Sequence, residues 1–320
     1  MLILIAGITG NVGKQAARAG LERGHEIRGL GRSPSKLDPA LLSGLESFVQ
    51  SENYYDISAL EQAVKGVDAV ICAYGGLAEL ALEGQLLLLR AAERAGITRF
   101  LAASWNYDWR RISLHDQEVY DPYIAFHAQA SLSSSIKTLH ILTGMLAEVF
   151  FGSHKERGFT PADDGVWDPE PQGADRTGPN HRARSMDVYG TGNEPWYFTT
   201  EADAGAFSIE VVTGPDAEKG GFYNLVSWVH SLREVAEIYK KVHPEANVGI
   251  VEKGSVEELE KKAVAGREKW GRSKFWEYHR LFFQLFTVKG TWNLGKLDNH
   301  SYPGVKATSL EQFLKDNPDI

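Results

Sequence analysis

An α/β fold is predicted, a doubly wound parallel sheet with a small C-terminal α/β lobe interwoven with it, on three observations. Short apolar runs alternate with helical patterns through the first half of the chain, the cadence of right-handed strand–helix–strand crossovers. A glycine-rich turn, Gly7-Ile8-Thr9-Gly10-Asn11-Val12-Gly13, separates the first apolar run from the first helical pattern. The chain has 320 residues, 43% hydrophobic and 24% charged, enough to bury a sizeable core.

The elements follow in order. Leu2–Ala6 is uninterrupted apolar, the mark of a strand buried on both faces. Asn11 to Arg23 has helical spacing and stops at Gly24. His25–Leu30 is a second strand, and a helix over Pro34–Leu42 follows. Ser47–Gln50, Val67–Ala73 and Arg99–Ala103 are the next strands, with helices over Ile57–Lys65 and Leu80–Ala95 between them. The segment Trp105–Asp121 is polar, aromatic and irregular. A helix over Pro122–Ser133 and a sixth strand at Thr138–Leu142 complete this half. Residues 153–185 are rich in Gly, Pro, Asp and Arg and read as a long ordered loop or lid. The last third mixes strands (Phe222–Val226, Val248–Val251) with helices (Ser231–Val242, Val256–Leu285). The expected division is a nucleotide-binding core over residues 1–152 and a lobe over 153–320, with segments returning to the core.

Composition excludes several classes of function. A net charge of -8, from 34 Lys+Arg against 42 Asp+Glu, argues against a nucleic-acid binder, which normally carries a basic face. The single cysteine, Cys72, excludes an intrachain disulfide and a multi-cysteine metal site. His154, His181, His279 and His300 show no metal-ligand spacing, so no metal is expected. The apolar start lacks a basic flank and is too short for a secretory signal, and no apolar window reaches the ~20 residues of a membrane span. A cytoplasmic protein without membrane partners is expected. Eight tryptophans against three methionines point to flat partners for the indoles.

The glycine turn carries the chemistry. Gly7 permits the tight turn, Gly10 lets a pyrophosphate approach the backbone, and Gly13 allows close helix–strand packing; Thr9, Asn11 and Val12 fill the turn. The helix N-terminus adds unpaired N–H groups and a positive dipole end. An acidic residue after the second strand selects NAD, a basic one NADP. Here Arg32, Ser33 and Lys36 form a phosphate clamp, so NADP is expected. Asp56, in the run Asn53-Tyr54-Tyr55-Asp56, lies where such folds meet the adenine edge, and Ala73, Tyr74 and Gly75 leave room for a ribose. Ser104 and Trp105 leave the fifth strand at the carboxyl edge, where the nicotinamide belongs. Trp105, Tyr107 and Trp109 make one wall of an aromatic substrate pocket.

Gly7–Gly13, the Arg32 turn, Ala95-Gly96-Ile97-Thr98-Arg99-Phe100-Leu101, Thr199-Thr200-Glu201-Ala202-Asp203, Leu294 to Tyr302-Pro303 and Thr308-Ser309-Leu310-Glu311 together resemble the NmrA-like and isoflavone reductase-like group of atypical short-chain dehydrogenases/reductases. The resemblance covers nearly the whole chain. It implies a Rossmann core, NADP(H), and a small lobe closing over an aromatic or other substrate of specialised metabolism. It also implies a facing wall at Thr143, Gly144 and Met145. The reductases resembled here carry a lysine on the helix after the fifth strand, in the proton-transfer system. This chain has no lysine between Lys65 and Lys137, and Ala125 or Phe126 stands at that point. Tyr123 and His127, one helical turn apart and on one face, are the candidate catalytic pair in its place. Three readings stay open: an NADPH-dependent oxidoreductase acting on a planar aromatic or oxygenated molecule, a redox-neutral isomerase, dehydratase or ring-opening enzyme, and an NADP-sensing regulator without turnover. Monomer and homodimer are both compatible with the apolar helix Glu79–Ala95.

Overall fold

The computed structural model describes residues 1–153, 158–171 and 182–320. The N-terminal half alternates as its apolar spacing dictates: β1 (Leu2–Ala6), α1 (Asn11–Glu22), β2 (Glu26–Gly31), α2 (Pro39–Gly44), β3 (Ser47–Gln50), α3 (Ile57–Val64), β4 (Ala69–Cys72), α4 (Gln85–Arg94), β5 (Phe100–Leu101), α5 (Asp121–Ser133) and β6 (Leu139–Leu142). The remainder comprises β7 (Met145–Leu146), α6 (Ala147–Phe151), β8 (Trp167–Asp168), β9 (Arg182–Tyr189), β10 (Trp196–Thr199), α7 (Glu201–Thr213), β11 (Gly221–Asn224), β12 (Trp228–His230), α8 (Leu232–Val242), β13 (Ala246–Gly254), α9 (Val256–Trp270), α10 (His279–Val288) and α11 (Leu310–Asp316).

The central sheet has seven strands in the order β11-β6-β5-β4-β1-β2-β3, every pair parallel. Strand order reverses between β1 and β4, which opens a crevice beyond their carboxyl ends. The strands are apolar on both faces because helices cover both. Leu88, Leu89 and Ala92 of α4 are buried in one core layer; Ile3, Ile5 and Ile27 pack with Phe207 and Ile209 of α7 in the other. The apolar face of α4 is thus spent on the sheet. Both α7 and β11 belong to this unit although they follow residue 153, so the chain leaves the sheet after β6 and returns to it.

The lobe is built on two three-stranded sheets, β12-β10-β7 and β13-β9-β8. The second has β8 antiparallel and β13 parallel to β9. Its core absorbs most of the tryptophan: Trp109, Trp167, Trp196, Trp228 and Trp292 are all buried there. Capping boxes start α8 (Ser231, Glu234) and α9 (Ser255, Glu258), each satisfying N–H groups that a helix end leaves open.

Several expected elements change form. The helix over Pro34–Leu42 is a 3-10 turn, Pro34–Lys36, followed by α2, because Pro39 restarts it with Asp38 as cap. A wider π turn, Leu80–Gly84, precedes α4; Gln85 is fully buried there, donating to Ala81 O and accepting from Ala103 N–H. The helix over Val256–Leu285 breaks at Gly271, whose φ of 70° ends α9, and a 3-10 segment Arg272–Glu277 intervenes before α10. Of the loop over 153–185, residues 158–171 carry β8, and β9 begins at Arg182; residues 154–157 and 172–181, with His154 and His181, lie outside the described residues.

Candidate active site

The turn after β1 is shaped by close contacts. Gly7 has φ 79°, and a Cβ there would stand 2.5 Å from Ala73 O. A Cβ on Gly13 would meet Gly7 O at 2.5 Å, so α1 starts tight against the turn. Gly10 caps α1 with no side-chain hydrogen bond, and the first turn holds no acidic residue. Its N–H groups and dipole end thus meet a cleft lined by Thr9, Gly10, Asn11, Val12 and Gly13. Ala73, Tyr74 and Gly75 from the end of β4 form the opposite side.

Two cations line this cleft among the described residues, Arg32 and Lys36. Arg32 follows β2 directly, and its carbonyl accepts from Gln50 Nε2 at 3.0 Å. Ser33 stands outside the lining; its carbonyl accepts the Lys36 N–H and so shapes the turn that carries Lys36. An adjoining hollow is lined by Leu30, Ser51, Asn53 and Tyr54. Asp56 does not reach it. Its carboxylate caps α3, accepting from Ala59 N–H at 3.1 Å.

At the other end Trp105 lines the cleft, its Nε1 donating to Ser208 Oγ of α7 at 2.9 Å. Ser104 borders it too, but its hydroxyl is consumed in the sheet, donating to Ala102 O and accepting the Ile141 N–H. The expected aromatic wall divides after Trp105. Tyr107 and Trp109 turn under the lobe and are core residues, 1% and 2% exposed. Tyr107 stacks on Trp292 at 5.2 Å, and Asp108 caps the short turn that begins with Trp109. The facing wall is likewise displaced along the chain. Thr143 is fully buried, Gly144 has φ 69° with the Tyr197 backbone where a Cβ would sit, and Met145 points into the lobe core. Leu146 and Val149 line the cleft instead.

Tyr123 of α5 lines the cleft, and its hydroxyl meets the Asn106 side chain. Burial pushes this phenol up to about 12. His127 does not join it. Its ring packs among Trp109, His140 and Phe222, with centroids 5.1–5.6 Å away, and burial, then Arg110, lower its basicity. Phe126, one of the two residues at the expected lysine position, is core, 1% exposed.

Sequence reasoning missed further contributors. Asn106 sits one residue beyond Trp105. Glu201, in the quoted Thr199–Asp203 run, reaches the cleft from α7. Phe275 and Trp276 lie on the 3-10 segment after Gly271 and line a second, apolar pocket with Leu77, Ala81, Pro122 and Tyr123. Only the break at Gly271 signals that these two rings leave the helix.

Fold and cleft define a Rossmann-type α/β protein with a second lobe beside the switch-point crevice. The chain belongs to the NmrA-like family, which matches residues 1–261. A bifunctional pinoresinol-lariciresinol reductase of Linum usitatissimum is 26% identical over 221 residues, 66% of this chain and 64% of that enzyme. A phenylcoumaran benzylic ether reductase of Ginkgo biloba is 26% identical over 336 aligned positions, 98% of this chain and 97% of its own. The leucoanthocyanidin reductase–NADPH complex of Vitis vinifera superposes with a TM-score of 0.72 at 20% identity, covering 99% of each chain. No helix among the described residues is long and apolar enough to cross a membrane.

Proposed function

We propose that this protein is an NADPH-dependent reductase of a planar aromatic or oxygenated small molecule. The observation that carries the reading is the position of Tyr123, which with Gly76 borders both the polar cleft and the apolar pocket of Phe275 and Trp276. The similar enzyme of Linum is named a pinoresinol-lariciresinol reductase and that of Ginkgo a phenylcoumaran benzylic ether reductase, and the Vitis structure is named as an NADPH complex.

The residues fit the cofactor. Gly10 to Gly13 and the uncapped start of α1 suit a diphosphate. Arg32 and Lys36 suit a 2′-phosphate, with Ser51, Asn53 and Tyr54 on the adenine side. Trp105, fixed by Ser208, flanks the nicotinamide end. When bound, the cofactor supplies a hydride. Tyr123 holds the complementary proton, because a phenol pushed up to about 12 is un-ionised at neutral pH and acts as donor. Leu77, Phe275 and Trp276 take the flat apolar body of the substrate, and Glu118 at the pocket edge is already paired with Arg267 and Tyr278.

A redox-neutral enzyme on the same scaffold is the second reading. It is favoured by Ala125 or Phe126 standing where the reductases resembled here are expected to carry lysine. Calorimetric titration with NADPH, followed by single-turnover absorbance at the nicotinamide band with a panel of lignans and related phenolics, tests both. Loss of one NADPH per product supports the reductase. Product formed without NADPH loss supports the second reading, and binding without any product overturns both.

A further inference from the structure

Helices α1 and α7 run parallel, and their contacts advance in step. A Cβ on Gly205 would stand 2.5 Å from Ala16 N and from the Gln15 carbonyl carbon, so the helices touch backbone to backbone at that level. One turn later a Cβ on Gly20 would meet the Ile209 side chain at 3.2 Å, and Arg23 Nε donates to Glu210 Oε1 at 3.0 Å. One turn earlier on both helices, Asn11 Nδ2 donates to Glu201 Oε1 at 2.9 Å.

Glu201 is fixed at the start of α7. Thr200 Oγ1 caps the helix by accepting the Asp203 N–H at 3.0 Å, and the Glu201 N–H donates to both carboxylate oxygens of Glu148, at 3.1 and 3.0 Å. Glu201 is 3% exposed and lines the cleft together with Asn11, the first residue of α1. An asparagine amide carries two donors at one end and an acceptor at the other, and it can turn over about its last torsion. A carboxylate only accepts, so Glu201 holds the nitrogen end of Asn11 in place. One Nδ2 hydrogen goes to Glu201, and the second meets no acceptor among the described residues.

We propose that Glu201 is a positioning residue for the cofactor: it locks the Asn11 amide with its nitrogen toward the cleft, so that the second N–H donates to the diphosphate of the dinucleotide. The proposal rests on the cofactor reading above. A diphosphate is an acceptor, and an amide oxygen turned toward it would oppose binding. Fixing the donor end before the ligand arrives removes that arrangement from the free protein. Charge alone predicts the opposite effect, because taking a carboxylate away from beside a diphosphate tightens binding. The sign of the change therefore separates positioning from electrostatics. The helix that carries Glu201 is the one by which the chain returns from the lobe, so this return supplies a part of the site that the first 152 residues lack.

The test is calorimetric titration of the whole chain with NADPH and, separately, with adenosine 2′,5′-bisphosphate, which keeps the 2′-phosphate but has no diphosphate bridge. Glu201→Gln preserves length but lets the facing amide turn over. It is expected to weaken NADPH about tenfold, the worth of one hydrogen bond, and to leave the bisphosphate unchanged. Asn11→Ala is expected to do the same, and the double variant to lose no more than either single one, because both act through one contact. Equal weakening of both ligands marks a general disturbance of the fold and overturns the proposal, as do unchanged or tighter NADPH binding and full additivity. If Glu201→Gln does not fold, Asn11→Ala decides, and wild-type NADPH affinity in it overturns the proposal. Absence of NADPH binding to the wild type overturns the cofactor reading together with it, whereas wild-type binding that both variants retain overturns this inference alone.

Discussion

The Tyr123 hydroxyl meets the Asn106 side chain on the boundary between the polar cleft and the apolar pocket. The Asn106 backbone is held against the loop after β6, its carbonyl accepting the N–H groups of Thr143 and Gly144. On the proposed reading, that side-chain contact positions the un-ionised phenol as proton donor. Tyr123→Phe removes the proton donor and leaves the ring. Turnover is expected to fall ~10²–10⁴-fold, the usual worth of a positioned general acid, with NADPH affinity little changed. Steady-state rates at the nicotinamide band measure it, and wild-type turnover in the variant would remove Tyr123 from the mechanism.

On the proposed cofactor reading, Arg32 is the residue that sets the choice of dinucleotide. Replacing a cation that makes charge-assisted bonds to a phosphate with a carboxylate costs roughly 1.5–3 kcal/mol, or ~10–100-fold in affinity. Arg32→Asp should therefore weaken NADPH by that factor and bring NADH level with it. Competitive titration of the two cofactors measures the ratio. An unchanged ratio places the phosphate elsewhere.

His127 belongs to packing, so its removal should be felt in stability and not in rate. His127→Ala leaves a gap among Trp109, His140 and Phe222, at about 1–3 kcal/mol. A lowered urea midpoint with wild-type kcat is the expected pair of results. A selective loss of kcat would restore His127 to the proton path.

Glu148 makes the fold pH-dependent in a direction opposite to an ordinary paired carboxylate. Its carboxyl stands at about 7 in the fold against 4.5 when free, so the folded chain keeps a proton that the unfolded chain has released. The stability it contributes is complete below the unfolded value and is lost as pH rises to the folded one, by about 3 kcal/mol at most. Urea midpoints at pH 5 and pH 8 should show the loss in the wild type and a smaller one in Glu148→Gln. Equal losses in both proteins would assign it to other groups.

The core of the fold is legible in the sequence because strand and crossover periods repeat there without interruption. Leu2–Ala6, the glycine turn and the stop at Gly24 each have one local cause, and local causes are what a chain displays. The cofactor cleft is legible for the same reason, since Gly10, Arg32, Lys36 and Trp105 all flank strand ends. The substrate side is not. Trp105, Tyr107 and Trp109 share a segment without a period, and only tertiary packing sends one ring to the cleft and two to the lobe core. Phe275 and Trp276 keep helical spacing with their neighbours, so the break at Gly271 is the one mark of their departure. Glu201 and Glu148 are 53 positions apart and come together only because β10 pairs with β7.

The return of the chain to the main sheet in β11 ties the lobe at both ends. Asn224 of that strand is tied to the segment after α10: its backbone N–H donates to the Asp298 carboxylate, its carbonyl accepts the Asp298 N–H, and its amide donates to the carbonyls of Leu294 and Lys296. A chain cut after residue 152 would bare β6 as an open edge of unpaired N–H and C=O groups, a template for stacking copies. The N-terminal half and the returning segment therefore complete one sheet between them.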